Sequence, residues 1–235
     1  MITIHPAEQR GHTQSDWLDS YHTFSFSDFY DPNRMSFCSL RVINEDRILP
    51  TKGFGTHAHR DVEIITYVLS GSLEHKDSLG NGSMIIPGKI QKMSAGTGIL
   101  HSEWNPSKSD PVHLLQIWIV PDKKGLKPSY EEHSFDRGAL QGKWQLLASG
   151  SKNQKVIHIH QDTDLNATTL ETGQMIDYAF KPGRCGWLQV AGGDITVNEM
   201  HLKAGDGAQI NHEKAVSLKG ISGPAELVLF DLGIG

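Results

Sequence analysis

The chain has 235 residues, a formal net charge of −5, 37 % hydrophobic and 21 % charged residues. That is room for one large domain or two small ones with ordinary globular cores. No long basic run favours a nucleic-acid partner, and no apolar run approaches the ~20 residues of a membrane helix.

Residues 2–5 read as a short strand, with neither the charged nor the apolar region of a signal peptide, so a reduced cytoplasmic setting is expected. An aromatic run follows at residues 17–26, in which Tyr21, Phe24 and Phe26 are core candidates and His22 is structural rather than a ligand. Asp31-Pro32-Asn33 is a turn signal, residues 39–43 a strand, and Asn44-Glu45-Asp46 a second turn. His57-Ala58-His59 ends the next strand, and the β-branched run at residues 62–69 makes another. Leu79-Gly80-Asn81-Gly82 is a hairpin signal. Residues 83–86, 89–94 and 114–120 continue the series, the last apolar enough for burial on both faces. Cys38 and Cys185 stand in distant strand-like segments and are expected to be buried and unpaired. Strands recur about every ten residues and helical periodicity is nearly absent, which predicts an all-β sandwich or barrel.

Residues 121–137 are polar and carry Pro121, Gly125 and Pro128, which predicts a linker and a division into residues 1–134 and 135–235. The second half then echoes the first at an offset of about 115–120 residues. Trp187 to Asp194 resembles Thr66 to Ser72, and a hairpin at Asn198-Glu199 falls where Gly80-Asn81 falls. Two similar antiparallel β-barrels in tandem are expected.

The chemistry concentrates at the two ends of residues 57–103. His57 and His59 are separated by one residue, and so are His101 and Glu103. In a strand, i and i+2 point to one face about 6–7 Å apart. Two such pairs facing each other make a metal cradle of three imidazoles and one carboxylate. Glu63 is a competing carboxylate if Arg60-Asp61 turns the chain back, but Glu103 needs no special turn. The second half has a single His-x-His, His158-Ile159-His160, and no His-x-Glu after it, so it is expected to hold no metal.

These residues resemble the cupin superfamily and, more narrowly, the pirin family. His57, His59 and Glu63 match the first cupin motif, although Gly53 and Gly71 are displaced by a residue or two. Gly98, His101 and Asn105 match the second motif, with Gly96 in place of its internal proline. The pirin likeness rests on Trp17 to Phe26, Gly55 to Glu63 and Met93 to Glu103, and it spans nearly the whole chain. It implies two cupin-type barrels, a bicupin. It also implies one divalent transition metal, Fe(II) by preference, on His57, His59, His101 and Glu103, with Glu63 outside the ligand set and the second barrel metal-free.

Three imidazoles and a carboxylate suit a range of divalent metals. Four protein ligands on an octahedral metal leave two open positions, as a catalytic site requires. The resemblance implies a dioxygenase that opens a flavonol such as quercetin with O₂ and releases carbon monoxide. Glu103 would take the proton of the substrate's hydroxyl. The partners implied are a flavonol-like small molecule and O₂, without nucleic acid or membrane. The alternative is a metal- or redox-dependent interaction protein, a co-regulator with protein partners. An open apolar cavity above the histidines would favour the enzyme. A plugged site under a flat charged surface would favour the co-regulator.

Overall fold

The period-two runs fold as strands, since alternation buries one face of a sheet and leaves the other to solvent or to a second layer. The computed structural model describes residues 1–152 and 155–234. The first half comprises β1 (Ile2–His5), β2 (Gly11–Gln14), β3 (Leu18–His22), β4 (Leu40–Ile48), β5 (Gly53–His59) and β6 (Glu63–Ser70). It continues with β7 (Leu73–Asp77), β8 (Gly82–Ile85), β9 (Lys89–Ser94), β10 (Ile99–Trp104), β11 (Val112–Ile119) and β12 (Ser129–Ser134). The second half comprises β13 (Gln145–Ser149), β14 (Ile157–His158), β15 (Thr163–Leu170), β16 (Met175–Ala179), β17 (Arg184–Val197), β18 (Met200–Lys203), β19 (Gly207–Asn211) and β20 (Ala215–Gly233).

Three sheets result. The first half pairs a seven-stranded sheet, β12-β9-β6-β11-β4-β3-β2, with a four-stranded one, β5-β10-β7-β8. The second half is a nine-stranded sheet along β1-β19-β17-β20-β15-β13-β14, with β16 on β20 and β18 on β17. This is the expected all-β tandem of cupin-type halves, with two opposed sheets in the first half and one sheet in the second rather than closed rings. β1 crosses to the other half, with Ile2 opposite Ile210 and His5 opposite Gly207 on β19.

The second half is filled by aliphatic side chains such as Leu188, Val190, Ile195, Leu218 and Leu227. Each contributes ~1.5–3 kcal/mol on burial. A further cluster joins the halves, where the Trp187 ring lies 4.9 Å from Phe24 and 5.8 Å from Phe37. The first half differs: its opposed sheets leave an inward polar surface between two small apolar clusters.

Three expectations fail here. Asn44-Glu45-Asp46 is no turn; β4 runs straight through it. Those residue types favour turns when their side chains compete for the backbone. Here each has its own partner instead: His22 for Asn44, Arg10 and His113 for Glu45, and Ser20 for Asp46. Residues 121–137 are not a free linker either. β12 completes the seven-stranded sheet from Ser129 opposite Ser94 to Ser134 opposite Lys89. Just before it, the Gly125 amide donates to Asp61 and the Thr97 amide to the Leu126 carbonyl. Finally, Cys38 is exposed, with φ of 50°, and joins the buried Cys185 in a disulfide between the halves. A spacing of 147 residues hid that pairing from the sequence.

Candidate metal centre

β5 and β10 lie side by side and antiparallel, with His57 opposite His101 and His59 opposite Ile99. The register shifts between His101 and Glu103, so that Glu103 faces Phe54 and Trp104 faces Gly53. The strands meet so closely there that a Cβ on Gly53 would lie 2.1 Å from the Glu103 carbonyl, which only glycine avoids. Alternation then turns His101 and Glu103 inward and leaves Leu100 and Trp104 outside.

The three imidazoles converge. Ring centroids are 4.8 Å apart for His57 and His59, 4.4 Å for His57 and His101, and 4.9 Å for His59 and His101. One ring nitrogen of each lies within 4.8 Å of the others. The His57 Nδ1–H donates to the Gly55 carbonyl at 2.8 Å, which frees Nε2 as the lone-pair nitrogen. Both His101 nitrogens are buried without a hydrogen-bond partner among the described residues. A buried imidazole with neither nitrogen satisfied is costly, so a missing partner is called for. Burial, then the neighbouring imidazoles, lower His101 to about 3, and burial and His57 lower His59 to about 4. Both rings are therefore neutral and lone-pair bearing at neutral pH, the form a metal takes.

Glu103 is fully inside, and burial raises its carboxyl above the ordinary range. Gln116 Nε2 lies 3.0 Å and 2.8 Å from its two oxygens, and the Thr66 hydroxyl donates at 3.4 Å. Glu103 clusters with His101 and with His75, a residue the sequence reading passed over. His75 is bonded to Asp77 at 3.2 Å and stacks on Tyr130 at 4.9 Å. Its signal was present: His75 and Asp77 stand two apart in a strand, as the other pairs do.

The competing residues go elsewhere. Glu63 is buried on the far side of the seven-stranded sheet from the cavity, 3.4 Å from the Lys92 ammonium and 3.2 Å from His160 Nδ1. Lys92 is wholly buried and also donates to Glu131, Ser94 and the His158 carbonyl. His158 and His160 therefore belong to a junction between the halves and do not reach the histidine cluster. His22 is structural as expected, with Nδ1 against Asn44 and Nε2 against Thr13, both at 2.9 Å.

Above the cluster opens a cavity of about 270 Å³. Leu18, Phe26, Phe54 and Trp118 give it apolar walls. Beyond the histidines and Glu103, its polar lining is Thr13, Ser20, His22, Ser27, Asn44, Asp46 and Gln116.

A two-sheet first half with an inward histidine cluster, joined to a filled second half, defines a bicupin. The family model for pirin matches residues 4–119, and one described as the quercetinase C-terminal cupin domain matches residues 146–232. The chain belongs to the pirin family. It is 46 % identical over 232 residues to the quercetin 2,3-dioxygenase of Escherichia coli K12, covering 99 % of each chain. It is 40 % identical to a pirin-like protein of Caulobacter vibrioides, covering 98 % of this chain and 99 % of that one. The crystal structure of the bacterial pirin YhhW of Escherichia coli in complex with nickel(II) superposes with a TM-score of 0.93, with 44 % identity and full coverage of both chains. No helix among the described residues is long and apolar enough to cross a membrane.

Proposed function

We propose that the protein is a quercetin 2,3-dioxygenase-type oxidoreductase. It would hold one divalent transition metal, Fe(II) by preference, on His57, His59, His101 and Glu103. The observation that carries this reading is His101, buried beside two imidazoles with neither nitrogen partnered. The family membership and the nickel(II) complex of a 44 % identical relative support a bound divalent metal. In this reading residues 1–134 carry the chemistry, and residues 135–235 form the second cupin-type half.

When bound on these residues, a divalent metal would supply Lewis acidity toward a hydroxyl of the substrate. The chain's own residues do the rest. Phe26, Phe54 and Trp118 offer flat apolar walls to the rings of a flavonol and keep water out. Glu103, buried beside His101, takes the substrate's hydroxyl proton. Gln116 and Thr66 keep that carboxylate aimed while its proton comes and goes. An apolar opening above the histidines, rather than a plug, supports an enzyme over a co-regulator.

The test is oxygen uptake with quercetin by metal-stripped protein reloaded with Fe(II), Mn(II), Co(II) or Ni(II). Loss of flavonol absorbance with release of carbon monoxide is expected. No turnover above the metal-stripped control with any of these metals would refute the reading.

A further inference from the structure

β3 ends at His22 and β4 begins at Leu40, so residues 23–39 make one connection without a strand. Connections longer than ~12–15 residues are usually functional. This one carries Phe26 and Ser27 into the cavity wall, with the Phe26 ring edge-on to Trp118 at 5.4 Å. Polar contacts tie it to the first half: Arg34 donates to Gln9, and Arg41 donates to the Ser25 carbonyl. Further anchors come from the second half. Phe24 near its start and Phe37 near its end both pack on Trp187. Cys38 is bonded to Cys185, which stands two residues before Trp187 and so on the same face of β17.

The two sulfurs differ in access. Cys38 is an exposed residue, whereas Cys185 is 2 % exposed. A thiolate from solution therefore attacks at Cys38. The attack forms a mixed disulfide on Cys38 Sγ and breaks the bond to Cys185, whose sulfur leaves with the electron pair and takes up a proton. That S–H has an acceptor in place, the Leu232 carbonyl at 3.6 Å. A second thiol then displaces the first from Cys38, and the two leave as their own disulfide. The protein has gained two electrons and two protons. We propose that Cys38 is an exchange site for a low-molecular-weight thiol such as glutathione, and that breaking its bond to Cys185 loosens the connection that carries Phe26 into the cavity. The exchange stands apart from the flavonol reading; only its effect on substrate binding rests on that reading.

The experiment equilibrates the metal-loaded protein with oxidised or with reduced glutathione. Free thiols are counted by alkylation and mass spectrometry, deuterium uptake is followed at residues 23–39, and quercetin binding is titrated anaerobically. The oxidised protein should show no free thiol and the reduced protein both of its cysteines. Reduction should speed uptake at residues 23–39 and weaken quercetin binding about two- to tenfold, the cost of ordering one loosened side chain. Cys38→Ser should show the reduced behaviour in both buffers, which separates the thiol from any action of glutathione on the metal. Free thiols that persist in oxidised glutathione overturn the inference, and so does a bond that reduced glutathione leaves intact. Unchanged uptake or unchanged quercetin affinity on reduction makes the bond a passive staple and overturns it too. No quercetin binding by either form refutes the flavonol reading, and thiol count and uptake alone then decide the exchange site.

Discussion

Gln116 holds Glu103 by both oxygens, its Nε2 lying 3.0 Å from one and 2.8 Å from the other. The amide comes from β11 and the carboxylate from β10, in the opposed sheet, so this bond ties the two layers at the site. Gln116→Leu keeps the bulk and removes the donor. Hydrogen bonds to charged groups are worth ~1.5–3 kcal/mol, so stability should fall by about that much. Metal affinity should fall too, because the carboxylate loses its aim. Urea unfolding and metal content at fixed free metal check both, and wild-type values in both would show that Gln116 does not position Glu103.

The choice between the two carboxylates is tested by Glu103→Gln and Glu63→Gln. The first keeps the shape but takes no proton, so turnover per bound metal should fall ~10²–10⁴-fold, with metal affinity reduced. The second alters a residue 3.4 Å from the Lys92 ammonium and should leave metal content near wild type. His57→Ala should lose metal first and activity as a consequence. Metal and rate are measured on the same preparations. Normal turnover per metal in Glu103→Gln, with a dead Glu63→Gln, would reverse the assignment.

Stability of the metal-free protein should depend on pH through His101 and His59. Burial lowers them from 6.5 to about 3 and about 4. Above pH 6.5 neither residue takes a proton in either state, so neither contributes a slope. Below it the unfolded chain binds protons that the folded site refuses, and stability is lost as pH falls from 6.5 toward 3. A thermal unfolding series from pH 8 to 4 should be flat and then fall, and His101→Phe should flatten part of that fall. An unchanged slope in the variant would assign the pH dependence to other groups.

Lys92 is a fully buried cation facing Glu131 at 2.9 Å and Glu63 at 3.4 Å. Lys92→Met leaves both carboxylates without their cation. Removing one partner of a buried ion pair typically costs ~3–5 kcal/mol, and the loss should appear as a lower urea midpoint. Metal content should not change, since neither glutamate reaches the histidines. A stability change below ~1 kcal/mol would mean that the pocket relaxes around the neutral side chain.

The histidine cluster was legible because its geometry is local. Two residues apart in a strand is a statement about one face, and the grouping of His57, His59 and His101 needed no more than that, whereas Glu103 groups with His101 and with His75 from β7. What escaped depends on partners distant in sequence. Asn44, Glu45 and Asp46 look like a turn until His22, Arg10 and Ser20 are placed opposite them. Gln116 sits in an otherwise apolar run and reads as incidental until Glu103 arrives from another strand. Lys92 looked like an ordinary strand lysine, since nothing local shows that β12 and the His158 segment close over it. The fold class came from repeated strands and turns, which are local, whereas β12 inside the supposed linker follows from its pairing with β9.

The pairing of β1 with β19 has a consequence for biosynthesis. Ile2 sits opposite Ile210, so β1 waits for a partner translated about two hundred residues later. Until then its edge stays open and available to any passing strand, including one from a neighbouring nascent chain. The segment in between can collect its histidines around the cavity before β1 and β19 join.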